Sequence, residues 1–371
     1  MTRLTQMRSL SVGIVIESLH TRGGVERRTT ELVKGLLSAG HQVHVYANRW
    51  DPQVLDGVEY HRIPIVRLWR AMKPLSFAWF ADMAIPRFHD LIHTQARIYR
   101  FDLATLGVGV HRAYLDALGT RESGFDRAVL RIERAMFDRD RKRRVIVNSN
   151  ECKTELIEYY GFPEERIDII HNGVDSDAFS PETLKTLRPA ARQEFGLSPD
   201  DVAVLFVGPG FQRKGLDTLV EAAGNLPANV RLLIVGRGKQ EAYDKLPPER
   251  LIWAGKSDSM ERCYAAADIF ALPTRYDPFA NSTMEALASC LPVVTTTSNG
   301  VSEILKDGEN ALIIGPNDPD ALTDRLQALV GDAGLRERMG SAGREAVKPY
   351  TWQSTAEQTM AVYEIFLRER A

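Results

Sequence analysis

The chain reads as α/β, built from two successive doubly wound, Rossmann-like units, each a mostly parallel sheet covered by helices. Three observations predict this. A strand, a glycine-ended loop, a helix and a second strand follow one another over residues 11–47. The same order restarts at Val202, after a stretch rich in proline and charge. And at 371 residues the chain exceeds the size at which a single hydrophobic core stops growing.

Taken in order, Ser11 to Ile16 is an apolar run of strand length, and Glu17 to Gly24 is a polar loop ending in Gly23-Gly24. Val25, Thr29, Leu32, Val33, Leu36 and Leu37 then recur at helical spacing until Gly40 stops them. His41 to Ala47 is the next strand, and His41 and His44 read as ordinary strand residues, not ligands. Val58 to Pro64, Leu91 to Thr94, Leu103 to Val110, Val145 to Ser149 and Ile167 to Ile170 continue as strands. Leu68 to Phe88 is apolar and aromatic, and Val129 to Phe137 and Cys152 to Tyr160 are helical. Gly107 and Gly109 mark a close approach by a ligand or another backbone. His171 to Asp175 is a turn, and residues 179–201 are a linker with a short helix. The expected domains are therefore 1–178 and 179–351. In the second, Val202 to Val207, Val230 to Val235, Leu251 to Ala254, Ile269 to Leu272 and Val293 to Thr297 read as strands, with Leu216 to Ala223 as a helix. Tyr350 to Arg370 reads as one long helix, with 352–371 expected to pack back onto the first domain.

Composition narrows the function. Hydrophobic residues make up 44% and charged residues 26%, as in a soluble globular protein. The net charge of −2 supplies no field to recruit nucleic acid. Cys152, Cys263 and Cys290 are scattered, without metal-ligand spacing, which fits a reducing cytoplasm. Arg3 and Arg8 precede no apolar run of signal-peptide character, and no stretch is long and apolar enough to span a bilayer. A cytoplasmic location is the resulting expectation. Arg121 to Arg144 holds nine basic residues against five acids. It is either a solvated helix or, together with Leu68 to Phe88, a peripheral contact with an anionic membrane.

The chemistry concentrates at a few loops. Gly208-Pro209-Gly210-Phe211-Gln212-Arg213-Lys214-Gly215 comes directly after a strand and opens a helix, the place where doubly wound domains bind phosphate. Glycines let the backbone approach, and each charge-assisted bond from Arg213 or Lys214 to phosphate is worth roughly 1.5–3 kcal/mol. The spacing is neither the dinucleotide fingerprint nor the Walker loop, so a solvated surface turn is the competing reading. Gly236 ends the next strand. Arg275 to Glu285 places Asp277 before a probable helix start and Glu285 in its first turn, with Asn281 and Ser282 as N-cap residues. Both acids can face a ligand at that terminus. Alternatively Ser282 to Glu285 is a capping box, with Glu285 reaching back to the Ser282 N–H. Gly23-Gly24 is either a ligand-approach loop or a plain tight turn. His111, at the carboxyl edge of a strand, is either structural or catalytic. Asp175 is placed to cap the segment after it. Asp-x-Asp triplets at Asp138/Asp140, Asp175/Asp177 and Asp318/Asp320 lie away from strand ends, so no metal is expected.

Gly23-Gly24-Val25-Glu26, His171 to Asp175 with Phe179, Gly208 with Arg213-Lys214-Gly215, and Asp277 with Glu285 together resemble glycosyltransferase family 4, in that family's order along almost the whole chain. The resemblance is closest to the lipopolysaccharide core glucosyltransferases, which share the Arg-rich central helix and the form Gly-x-x-Phe-x-Arg-Lys-Gly. It implies the GT-B architecture: two Rossmann-like domains facing across a cleft, donor on the second and acceptor on the first. It also implies retention of configuration, no metal and no cofactor, the nucleotide sugar being a substrate. Arg213 and Lys214 would hold the donor diphosphate, Asp277 the donor sugar and Glu285 the ribose. Gly23 and Gly24 would approach the donor phosphate, and His111 would lie near the transferred sugar. The family usually carries Glu where this chain has Asp277, which shortens that reach by a methylene. The expected activity is hexose transfer from a UDP-sugar such as UDP-glucose to a glycan or glycolipid acceptor such as lipopolysaccharide core. A sugar-nucleotide epimerase or a non-catalytic nucleotide-sugar-binding protein are the alternatives.

Overall fold

The computed structural model of the chain describes residues 9–20, 23–138, 142–243, 245–257 and 259–370; Arg3, Arg8 and Asp140 fall outside them. The chain divides into one unit of 1–172 with 352–371 and another of 173–351. The join lies ahead of the expected break after 178, because Val174 and Phe179 are buried in the second core.

The first unit runs β1 (Ser11–Val15), β2 (Ser18–Leu19), α1 (Gly24–Ser38), β3 (Gln42–Ala47), β4 (Arg49–Trp50), β5 (Glu59–Arg62), α2 (Met72–Ala84), β6 (Leu91–Thr94), β7 (Leu103–Thr105), α3 (His111–Leu118), α4 (Gly124–Asp138), β8 (Arg144–Val147), α5 (Asn150–Tyr160) and β9 (Ile167–Ile169). Seven of its strands form a parallel sheet in the order β5-β3-β1-β6-β7-β8-β9. Leu32, Val33 and Leu36 on one face of α1 bury against Val12, Ile14, Val43 and Val45 of the sheet. Full burial of each such side chain stabilises by about 1.5–3 kcal/mol.

One expected strand is shortened. Only Leu103 to Thr105 pair as β7. The chain then turns, with Gly109 at φ +73°, and His111 becomes the first residue of α3 instead of the end of a strand. The positive φ is open to glycine at little cost and ends the extended run.

The second unit runs α6 (Pro181–Glu194), β10 (Val202–Val207), α7 (Leu216–Ala223), β11 (Val230–Val235), β12 (Leu251–Gly255), α8 (Met260–Ala266), β13 (Ile269–Leu272), α9 (Asn281–Ala288), β14 (Val293–Thr296), β15 (Leu312–Ile314), α10 (Pro319–Gly331) and α11 (Ala333–Val347). Its six strands are parallel in the order β12-β11-β10-β13-β14-β15. The winding direction reverses between β10 and β13, so the loops leaving those two strands are neighbours at the carboxyl edge. The corresponding reversal in the first unit lies between β1 and β6. The final helix, α12 (Trp352–Arg370), belongs to the first unit. It packs on α1, its Tyr363 hydroxyl lies 2.7 Å from His93 Nδ1, and Thr355 Oγ1 donates to the His171 carbonyl at 3.0 Å.

Two acids bond locally to backbone N–H groups. Asp318 accepts the Ala321 N–H at 2.9 Å and caps α10, and Asp175 accepts the Ala178 N–H at 3.0 Å in the turn before α6. The first is an N-cap; the second closes a turn, and Ser180 caps α6 through the Thr183 N–H. Among the described residues, no helix is long and apolar enough to cross a membrane.

Candidate functional site

The loops after β10 and β13 are tied together by backbone. The Arg213 carbonyl accepts the Arg275 N–H at 2.8 Å and the Thr274 hydroxyl at 3.1 Å. The Arg275 guanidinium adds a bond to the Gln212 carbonyl at 2.7 Å and a salt bridge to Asp217 at 2.5 Å. Asp277 is held from the other side. Its N–H donates to Ser298 O at 2.9 Å, and its carbonyl accepts the Gly300 N–H at 2.9 Å.

This clamp brings the two sequence candidates into contact. Asp277 Oδ2 receives Lys214 Nζ at 2.8 Å and Arg213 Nη1 at 2.9 Å. Arg213 Nη1 also donates to the Tyr276 carbonyl at 2.7 Å. Lys214 and Asp277 are both buried. Burial alone would raise the Asp277 carboxyl, but Lys214 and then Arg213 outweigh it and hold Asp277 below the ordinary carboxylate value. Burial pushes Lys214 below the ordinary lysine value, with the Asp277 charge opposing. The solvated-turn reading of this loop therefore does not describe Lys214, which is folded inward.

Glycine makes that inward course possible. Gly208 sits at φ +140°, and a Cβ there would lie 2.7 Å from Lys214 Cε. Gly236, at φ +147°, passes beneath, and a Cβ there would lie 2.4 Å from Gly208 O. Gly215 caps α7 in the left-handed region, hard against the Pro273 carbonyl.

Asn281 and Ser282 are not N-caps. The cap of α9 is Ala280, whose N–H donates to Asn299 Oδ1 at 3.2 Å. Asn281 and Ser282 thus open the helix itself, and the capping-box register at Ser282 and Glu285 does not occur. The Glu285 carboxylate accepts the Tyr264 hydroxyl at 2.8 Å, while Ser282 Oγ lies 3.5 Å from the Val207 carbonyl. Sequence reasoning missed Tyr264, Arg275 and Asn299. The visible signal was polarity in an apolar setting: Thr295, Thr296 and Asn299 are fully buried at the end of β14. Asn299 Nδ2 donates to the hydroxyls of Thr283 and Thr295, each at 3.0 Å.

In the first unit, Gly23 precedes α1 at φ +114°, and a Cβ there would lie 2.2 Å from Glu26 Oε2. Gly24 begins the helix. A Cβ at Gly107, in the loop before α3, would touch Val25 at 3.4 Å, so that loop lies against the start of α1. His111 is fixed twice. Its N–H reaches both carboxylate oxygens of Glu133 at 3.1 Å, and its Nε2 lies 2.9 Å from Asp126 Oδ1. Burial, then Arg97, lowers the imidazole pKa, and hydrogen bonds from Ser123 help hold Asp126 ionised against its own burial. A neutral ring that donates from Nε2 keeps Nδ1 as an acceptor.

Chemically, the second unit offers two cations against one carboxylate beside helix N-termini and open backbone. Glu285 is a further acid close enough to act on Lys214, so the cations are held by carboxylates at the carboxyl edge of a doubly wound sheet. The first unit offers an oriented neutral histidine at its own carboxyl edge.

Comparison with known proteins agrees with this division. Residues 22–178 match the family model described as Glycosyltransferase Family 4, and residues 188–346 match Glycosyl transferases group 1. An uncharacterized glycosyltransferase of Methanocaldococcus jannaschii is 25% identical, covering 92% of this chain and 94% of that protein. A D-inositol 3-phosphate glycosyltransferase of Nocardia farcinica is 31% identical over 61% of this chain and 53% of its own length. Among solved structures, WaaG, a glycosyltransferase involved in lipopolysaccharide biosynthesis, superposes with a TM-score of 0.84 at 20% identity, covering 95% of this chain and 99% of that one. HepE of Anabaena, in complex with UDP and glucose, gives a TM-score of 0.74 at 19% identity over 96% of this chain and 99% of that one.

Proposed function

We infer the specific reaction from the premise that this chain is a GT-B glycosyltransferase with family 4 homologues, working with a nucleotide-sugar donor and a glycan acceptor. It moves a hexose from a UDP-sugar, UDP-glucose or a close relative, with retention of configuration and without a metal. The observation that carries this is the Arg213–Lys214–Asp277 cluster, whose two cations exceed its one carboxylate. HepE, a structural neighbour at TM-score 0.73, is known with UDP-glucose bound, and this supports the same donor class here.

The sugar C1–O bond to the diphosphate breaks as the acceptor oxygen forms its bond to C1 on the same face. The acceptor proton passes to the departing phosphate oxygen. Arg213, Lys214 and the α7 terminus stabilise the charge growing on the diphosphate, the work a bound cation does in other transferases. Asp277 orients the sugar hydroxyls, Glu285 binds the ribose, and Gly23, Gly24 and Gly208 admit the phosphates. His111 accepts a hydrogen bond from the transferred sugar.

The acceptor is a glycan or glycolipid such as lipopolysaccharide core, a reading supported by the likeness to WaaG. The protein works in the cytoplasm, with the first unit touching an anionic bilayer. There Trp69, Trp79, Met83 and Phe88 stand exposed on and around α2, and the Arg-rich α4 packs beside it. No nucleic acid is involved.

A thermal-shift panel of UDP-, GDP- and ADP-sugars tests the donor: the true one raises the melting temperature most, by mass action. UDP release that depends on acceptor, persists in chelator and yields the retained anomer supports the transfer. Free epimerised nucleotide sugar without acceptor, or loss of activity in chelator restored by magnesium, rejects it. Co-sedimentation with anionic but not neutral vesicles tests the membrane contact.

A further inference from the structure

We propose that His44, Glu59 and His61 bind one divalent transition-metal ion with the ligand preference of zinc. The argument begins with strand register. β5 is the edge strand of the first sheet and pairs in parallel with β3, setting His44 opposite Glu59 and Tyr46 opposite His61. His61 is two residues beyond Glu59, so all three side chains stand on one face. Their donor atoms converge. His44 Nδ1 lies 3.2 Å from His61 Nε2 and 3.2 Å from Glu59 Oε2, and His61 Nε2 lies 3.9 Å from Glu59 Oε2.

Those spacings suit a cation better than a shared proton. A tetrahedral ion with bonds of about 2.05 Å has ligand–ligand edges of about 3.3 Å, close to two of the three distances. A shared proton satisfies one pair at a time; an ion satisfies all three donors together. The rings are held in place. His44 and His61 stack with centroids 5.4 Å apart, and Tyr46 stacks on His61 at 4.6 Å. His89 packs against His44, but its two nitrogens already meet Ser11 Oγ at 2.9 Å and Tyr46 Oη at 2.8 Å. Three ligands therefore come from the protein, and water completes the shell from the side where Glu59 is 73% exposed.

Two imidazoles and a carboxylate favour zinc, copper(II) or nickel over magnesium and calcium. Such an ion would staple the edge strand to its neighbour. The site lies in the first unit, and the inference does not depend on the transferase reading.

The chain, free of any affinity tag and stripped with chelator, is titrated with zinc, cobalt(II) and magnesium. The expected result is saturation at one equivalent of zinc, a tetrahedral-type cobalt(II) spectrum and no response to magnesium. At a hundredfold excess over the dissociation constant, zinc raises the melting temperature by about 5 °C or more. Glu59→Gln and His61→Ala alter exposed or half-exposed positions, stay folded by circular dichroism, and weaken zinc binding by more than about tenfold. Equal zinc affinity in wild type and both variants overturns the proposal, as does magnesium competing on equal terms.

Discussion

Asp277 and Glu133 are two buried carboxylates with opposite charge balance. Glu133, fully buried, receives Arg97 Nε at 2.6 Å, the Tyr160 hydroxyl at 2.8 Å and the His111 N–H. One cation meets one anion there, and neutral donors supply the rest. Asp277 receives two cations. Burial is similar, so burial does not distinguish them; charge count does. The balanced cluster holds α3, α4 and α5 in register. The other gathers two cations on one carboxylate, with Glu285 also acting on Lys214, at a loop edge where an anionic ligand can compete for them.

Four measurements probe that contrast. Glu133→Ala has the largest effect: it strands Arg97 and lowers stability by about 3–5 kcal/mol in urea unfolding. Turnover of the remaining folded protein should fall less than in the next pair. Lys214→Ala and Arg213→Ala reverse the pattern. Each lowers kcat/KM by about 100–1000-fold while costing about 1–3 kcal/mol of stability, since the other cation still holds Asp277. Wild-type turnover in either variant removes the distinction.

Acid comes third. His93 is fully buried, and burial, with Arg28's charge adding, pushes its pKa down to about 3. The unfolded chain binds that proton near the ordinary value of 6.5, so the stability His93 contributes is complete above pH 6.5 and lost as pH falls towards 3. Each pH unit within that window costs about 1.4 kcal/mol. The contribution of Asp277, whose pKa is held below its ordinary 3.8, disappears only in stronger acid. His93→Gln should therefore flatten the decline of melting temperature between pH 6.5 and 5, and an unchanged decline assigns the acid sensitivity elsewhere. The smallest effect is Asp277→Glu. The added methylene should shift the kcat/KM ratio between two UDP-hexoses by about tenfold, measured by competition.

Much of the fold was legible in local sequence. Val202 to Val207, Leu216 to Ala223 and Val230 to Val235 fold as read, because each is a strong apolar period bounded by glycine or polar residues. Leu103 to Val110 misled because an apolar run hid a turn that Gly109 makes. The start of α9 misled for a different reason: Asn281 and Ser282 are good caps by type, but the helix already begins at Asn281, with Ala280 as its cap and the Ala280 N–H held by the distant Asn299. The Arg213–Lys214–Asp277 contact was approachable by topology, since loops after adjacent strands at a reversal must meet. His44 read as a plain strand residue because its partners lie across a strand pair, whose register no local pattern states.

The glycine stack under Lys214 has a consequence for redesign. Gly236, Gly208 and the lysine side chain lie one above another with no room for a methyl group between layers. Anyone altering sugar choice in this protein must treat that column as fixed ground. The neighbouring segment offers little more freedom, since Tyr276, Asp277, Phe279 and Ala280 are buried.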